Sequence, residues 1–132
     1  MTENDTITTT TAAADSLAVW LEMWNGDADI ARLICSDDFR IHFGTTETDG
    51  SSPGDDVRGG DAFATYLGGY HAQHPDVVFS EVAQAIDGEH GRMLWNVAIG
   101  DRHAGGVDIF DFTAEGLVNE VWSVTGSRPM TV

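Results

Sequence analysis

The stretch Gly106–Thr125, GVDIFDFTAEGLVNEVWSVT, admits few folds other than a β-hairpin. Apolar residues alternate with others on both sides of Thr113-Ala114-Glu115-Gly116, and a period of two marks a strand with one face buried. Gly116 suits the left-handed position of a three-residue loop closed by a bulge. Such a loop sets Thr113 opposite Leu117, Phe112 opposite Val118, Phe110 opposite Glu120 and Asp108 opposite Trp122. Asp108, Phe110, Phe112, Val118, Glu120 and Trp122 then share one face. A two-residue loop would slip the register by one and turn Trp122 away from Asp108.

The expected face carries two carboxylates among aromatic rings. Burial raises the pKa of an unpaired carboxyl, and two neighbouring carboxylates do not both ionise easily. Either effect leaves one of them a general acid or base near neutral pH. The plainer alternatives put Glu120 in water at the sheet edge and pair Asp108 with an arginine.

The rest of the chain reads as a scaffold for this hairpin. Residues 1–14 are Thr-rich with little to bury, which predicts a flexible tail or a segment lying on a neighbour in an oligomer. A helix is expected from Asp15 or Ser16, either able to cap it. Leu17, Trp20, Leu21 and Trp24 give that helix its apolar face. Asn25-Gly26-Asp27 ends it, and a second helix runs over about Ala28–Cys35. Phe39, Ile41 and Phe43 alternate with Arg40 and His42 in a short strand, so His42 points either to solvent or into a polar pocket. Gly44–Gly60 is a long polar loop, of a kind that forms lids or binding loops. The third helix is predicted over Asp61–Gln73, with Gly68-Gly69 marking a kink or close packing. Strands follow over Val77–Ile86, Arg92–Ile99, Gly105–Phe112 and Leu117–Val124. Helices followed by sequential strands indicate α+β architecture with an antiparallel meander. One domain over 15–126, with a C-terminal tail over 127–132, accounts for the 132 residues.

Charge narrows the partners. The chain has 22 acidic residues and 6 basic ones, a net charge of −16, and every basic residue is arginine. Nucleic acid and anionic membrane surfaces both need a basic footprint, so both are excluded as partners. The balance fits a halophilic host or simply an Asp-rich genome. Cys35 is the only cysteine, which fits a reducing, cytoplasmic setting and a buried structural thiol. The N-terminus shows no signal-peptide pattern, and no apolar run reaches membrane-spanning length.

Several short motifs, in order, resemble the SnoaL-like branch of the nuclear transport factor 2-like superfamily. They are Trp24-Asn25-Gly26-Asp27, Asp38-Phe39-Arg40-Ile41-His42, Gly60-Asp61-Ala62, His74-Pro75-Asp76, Gly106-Val107-Asp108-Ile109-Phe110, and Gly116 followed by Glu120-x-Trp122. The resemblance implies a cystatin-like cone. Three N-terminal helices would pack in the concave side of a strongly curved, mainly antiparallel sheet, with a deep pocket at the open end. In SnoaL-like cyclases and ketosteroid isomerases an acidic residue matches Asp108 and acts as acid, base or oxyanion donor. The isomerase's base position holds His42-Phe43 here, and its first-helix tyrosine falls near Val19 or Trp20. The arginine of the epoxide hydrolase set is replaced by Gly106. The ketosteroid isomerase and epoxide hydrolase mechanisms are disfavoured accordingly, which leaves cyclase-like or undefined lyase or isomerase chemistry.

Two functions follow. The first is a cofactor-free enzyme doing proton-transfer chemistry on an apolar, carbonyl-bearing substrate. Asp108 is its acid/base, His42 is the partner, and Trp24, Tyr70, Trp95, Phe110, Glu120 and Trp122 shape the pocket. The second is a non-catalytic ligand-binding or dimerisation domain on the same scaffold. Separation of His42 from Asp108, with no polar pocket between them, would favour the second. His71, His74, His90 and His103 read as surface residues rather than metal ligands. Val107, Ile109 and Val121 on the outer sheet face point to a homodimer.

Overall fold

The computed structural model describes the backbone of residues 3–131, with side chains from residue 7 onward. Helix α1 (Glu3–Ala18) runs into α2 (Trp20–Trp24) across a break at Val19, and α3 (Ile30–Ile34) and α4 (Gly59–Gln73) complete three helical units. Five strands form one sheet: β1 (Cys35–Phe43), β2 (Val78–Asp87), β3 (His90–Ile99), β4 (Arg102–Phe112) and β5 (Val118–Thr125). The strand order is β1-β5-β4-β3-β2. β2 to β5 are the expected antiparallel meander, whereas β1 joins β5 in parallel, so the sheet is mixed. Among the described residues no helix is long and apolar enough to cross a membrane.

The helices and one sheet face enclose the core, where Trp20, Met23, Phe39, Phe63, Met93 and Phe110 are fully buried. Phe39 and Ile41 face inward from β1, as their alternation predicts, and Phe39 stacks on Phe63 of α4 with centroids 4.7 Å apart. Cys35 is buried as expected, but it opens β1 instead of ending a helix.

The first helix begins at Glu3, twelve residues before Asp15, so the Thr-rich segment is not a tail over its described length. Its small residues allow close approach to the turns. Thr9 Oγ1 donates to the Ala114 carbonyl and Ser16 Oγ to the Gly116 carbonyl, each at 2.8 Å. A Cβ on Gly116 would come within 2.4 Å of the Ala12 Cβ, and Ala13 beside it is fully buried. At the other end, Met130 N donates to Asn96 Oδ1 at 2.6 Å and Asn96 Nδ2 returns a bond to the Met130 carbonyl at 3.3 Å. The expected C-terminal tail is thus fastened at Met130. Residues 1, 2 and 132 lie outside the described residues.

The hairpin keeps the expected turn but not the expected register. Gly116 has φ +84°, Thr113 N donates to the Leu117 carbonyl, and Phe112 lies opposite Val118. Asn119 then bulges out of the ladder. Beyond it, Asp111 faces Glu120, Phe110 faces Val121, Ile109 faces Trp122 and Asp108 faces Ser123. Regular alternation cannot bury both Val118 and Val121, three positions apart, but one extra residue lets β5 bury both. Ser36 Oγ donates to Asn119 Oδ1 at 2.8 Å and holds the bulge against β1. The result reverses the expected faces: Glu120 and Trp122 lie outside, Val121 and Ser123 inside.

Gly68 and Gly69 do not mark close packing, because no neighbouring atom lies within 4 Å of a Cβ built on either. They sit exposed in a helix that continues through them.

Candidate functional site

Asp108 occupies the inner face of the central strand β4, between Met93 on β3 and Ser123 on β5. It is 97% buried, with only 3% of its surface exposed. Trp20, from the start of α2, donates its indole N–H to Asp108 Oδ2 at 2.9 Å. Trp95, from β3, lies across the neighbouring Gly106, where a Cβ would come within 2.4 Å of its ring. The absence of a side chain at Gly106 is therefore what lets the Trp95 ring sit beside the carboxyl.

Burial raises the pKa of Asp108, and Ser123, Trp20 and Trp95 oppose that rise in decreasing order. Of these three, only Trp20 makes a hydrogen bond of good geometry. Asp108 Oδ1 and Trp95 Nε1 are both buried and have no partner among the described residues. Burial outweighs the three opposing groups, and the Asp108 carboxyl is held toward its neutral form. A buried polar atom without a partner is costly, so Asp108 and Trp95 together leave unused hydrogen-bonding capacity in the lining.

Both residues line a cavity of about 740 Å³. Trp24, Tyr66, Tyr70, Phe79 and Val97 supply its apolar walls, and Thr45 and Pro53 contribute from the long loop after β1. The walls are braced from outside. Asn25 mimics a strand against Phe79, accepting from its N–H at 2.6 Å and donating to its carbonyl at 3.0 Å. Burial raises the pKa of both tyrosines, with a further push from Glu47 on Tyr66 and from Tyr66 on Tyr70. Their hydroxyls therefore stay protonated and serve as neutral donors.

The residues singled out from the sequence separate into two groups. Asp108, Trp24, Tyr70 and Trp95 line the cavity. Phe110 is in the core beneath it, edge-on to Trp20 with centroids 5.1 Å apart. His42, Glu120 and Trp122 are on the opposite face of the sheet. There His42 Nε2 lies 2.6 Å from Glu120 Oε2, and the His42 ring stacks on Trp122 with centroids 5.6 Å apart. The expected pairing of His42 with Asp108 is thus absent, because β1 presents His42 outward and the bulge in β5 turns Glu120 and Trp122 to join it. The cavity that Asp108 lines does not include His42.

Trp20 and Ser123, the residues that do contact Asp108 or face it across the ladder, were not predicted as site residues. Trp20 reads from the sequence as core packing and not as a donor. Three of the histidines that metal binding would need are engaged elsewhere or apart: His71 with the Trp24 carbonyl, His90 with Asp111, and His103 at the cavity. Among the described residues no group of three His, Cys, Asp or Glu side chains has metal-binding geometry.

No family model and no curated protein matches this sequence. Solved structures do. A SnoaL-like protein of unknown function from Burkholderia thailandensis superposes with TM-score 0.70 at 19% identity, covering 88% of this chain and 96% of that one. The fold is that of the SnoaL-like proteins. A "putative ketosteroid isomerase" from Kribbella flavida matches with TM-score 0.69 at 17% identity over 96% of this chain and 86% of its own. A "Putative SnoaL-like polyketide cyclase" from Jannaschia matches with TM-score 0.69 at 13% identity over 88% and 86%. At these identities the likeness is one of SnoaL-like architecture, and chemistry has to be argued from the site itself.

Proposed function

We propose that this SnoaL-like chain binds a small, largely apolar, carbonyl-bearing molecule and performs cofactor-free acid/base chemistry on it, of the cyclase or isomerase type. One observation carries this reading: Asp108 Oδ1 and Trp95 Nε1 are buried and have no partner among the described residues, and both residues line the cavity. A neutral Asp108 can donate through Oδ1 while Oδ2 accepts from Trp20. With Trp95 N–H it offers two donors to one carbonyl oxygen. Asp108 would give its Oδ1 proton to the carbonyl oxygen while Trp95 N–H holds that oxygen, and the resulting carboxylate would take the proton from the adjacent carbon, so that the sum is carbonyl to enol with Asp108 again neutral. In this reading the sheet wraps the helices as a cone, the cavity is its open end, and the protein works in a reducing, cytoplasmic compartment.

The test compares two replacements with the wild type on candidate carbonyl substrates. Asp108→Asn keeps a donor but has no transferable proton, so binding should survive and turnover should fall on the order of 100-fold or more. Asp108→Leu removes the donor, and both should fall. Turnover of Asp108→Asn equal to wild type would remove Asp108 from the mechanism.

A second reading, a non-catalytic ligand-binding domain, is favoured by the position of His42. The second acid/base group expected from the sequence lies on the far face of the sheet and is absent from the cavity. Binding that survives in Asp108→Asn, with no turnover of any carbonyl by the wild type, would select it. In either case we propose that two copies pair through the outer sheet face. Ile109 and Val124 are half-exposed there, and Trp122 is 38% exposed.

A further inference from the structure

The cavity lining differs in charge from the rest of the chain. The sequence holds 22 acidic residues, yet the only carboxylate in the lining is the buried Asp108. Its other titratable members besides the tyrosines are Arg102, His74 and His103. Arg102 lies six positions before Asp108 on β4. Residues of equal parity on a strand share a face, so Arg102 and Asp108 stand on the same side, separated along it by at most about 20 Å. Asp108 is buried and Arg102 is exposed, which sets them at the inner and outer ends of the cavity.

Arg102 takes part in none of the ion pairs among the described residues. Arg32, by contrast, holds both Asp29 and Asp61. Asp101 beside it in sequence and Asp76 between α4 and β2, whose Oδ2 would lie 3.8 Å from a Cβ on Gly100, are exposed and outside the lining. An exposed guanidinium with no ion-pair partner among the described residues, in a lining whose only carboxylate is buried, suits an anionic group even in a chain of net charge −16.

We infer that Arg102, assisted by His74, recognises an anionic group at the outer end of the ligand. The ligand class is then an elongated, largely apolar carbonyl compound that carries a carboxylate or comparable anion remote from the carbonyl. The carbonyl is read at Asp108 and Trp95, and the anion at Arg102. This inference rests on the cavity reading proposed above.

Two fluorescent probes with one skeleton separate the possibilities: 8-anilinonaphthalene-1-sulfonate, and N-phenyl-1-naphthylamine, which lacks the sulfonate. Each is titrated into wild type, Arg102→Gln and Thr125→Trp, the last placing a bulky ring in the lining near the exposed end. Near-ultraviolet circular dichroism verifies that each variant is folded. Wild type should bind the sulfonate more tightly than its neutral twin, despite the chain's negative charge. Arg102→Gln should weaken the sulfonate by about fivefold or more and leave the neutral probe unchanged. Thr125→Trp should weaken both. Equal affinity of wild type for the two probes, or no selective loss in Arg102→Gln, would overturn the assignment of Arg102 while leaving the cavity reading intact. Failure of both probes to bind wild type, or binding that Thr125→Trp does not alter, would overturn the cavity reading and this inference with it.

Discussion

The indole N–H of Trp20 donates to Asp108 Oδ2 at 2.9 Å, joining the first helical unit to the central strand through two buried groups. The bond orients the carboxyl. It occupies one oxygen, and the other has no partner among the described residues.

Replacing Trp20 by Phe keeps an aromatic ring against Phe63 and Phe110 but removes the donor. We expect a loss of about 1–3 kcal/mol in stability, since a buried acceptor loses its partner. The pKa of Asp108 should rise further, because one of the bonds that lowers it is gone. Carboxyl-carbon NMR titration of Asp108 in both proteins checks the second effect. An unchanged or lower pKa in the variant would mean the bond does not stabilise the charged form.

Asp108 also gives the fold a pH dependence of definite sign. Burial raises its pKa in the folded state. Folded protein therefore keeps this proton at pH values where the unfolded chain has released it. The contribution to stability is complete below the ordinary carboxylate range and is lost as pH rises toward the folded pKa. Asp108→Asn removes the titration and keeps the shape. Urea midpoints of the two proteins at a series of pH values should diverge in the variant's favour through that window, by up to about 1.4 kcal/mol per pH unit. Parallel curves would mean that Asp108 ionises as readily folded as unfolded.

The outer sheet face predicts self-association. Ile109 and Trp122 face each other across the β4–β5 ladder, 50% and 38% exposed. Ile109→Glu places a charge in that patch at little cost to the monomer, about 0.5 kcal/mol or less. Sedimentation velocity should show a dimer for wild type and a monomer for the variant. A monomeric wild type at tens of micromolar would remove the proposed pairing.

Gly68 and Gly69 offer a stabilisation that leaves the site untouched. Both are helical, exposed and clear of neighbours. Changing each to Ala should add about 1 kcal/mol, because alanine loses less backbone freedom in a helix. Thermal melts of the single and double variants would show additive gains. A loss would reveal a packing or functional need for these glycines.

The parts of this molecule that follow a regular period were legible in its sequence. Phe39 and Ile41 declare a strand face, and the runs around Trp95 and Phe110 declare the meander. Asp108 stands out as a carboxylate on an apolar strand. What regular alternation could not convey is its own interruption at Asn119. One clue was available: Val118 and Val121 are too far out of phase for an unbroken strand to bury both. The helix before Asp15 was hidden for another reason. Its Thr and Ala side chains bury little area each, and its anchoring comes from hydroxyl bonds to turn carbonyls distant in sequence. Trp20 was legible as core but not as a donor, because its partner lies on a strand 88 positions later.

Asn119 is the residue of β5 left without an opposite number on β4. Its loss would let Glu120 follow Val118 directly, at the expense of the Ser36 bond, with Val118, Val121 and Ser123 still turned inward. A residue gained or lost between Val121 and Ser123 would instead change what stands across from Asp108. The strand thus contains a spare link next to a segment that tolerates no change in length. In-frame deletions in descendants of this chain should therefore persist at position 119 and be purged three residues later.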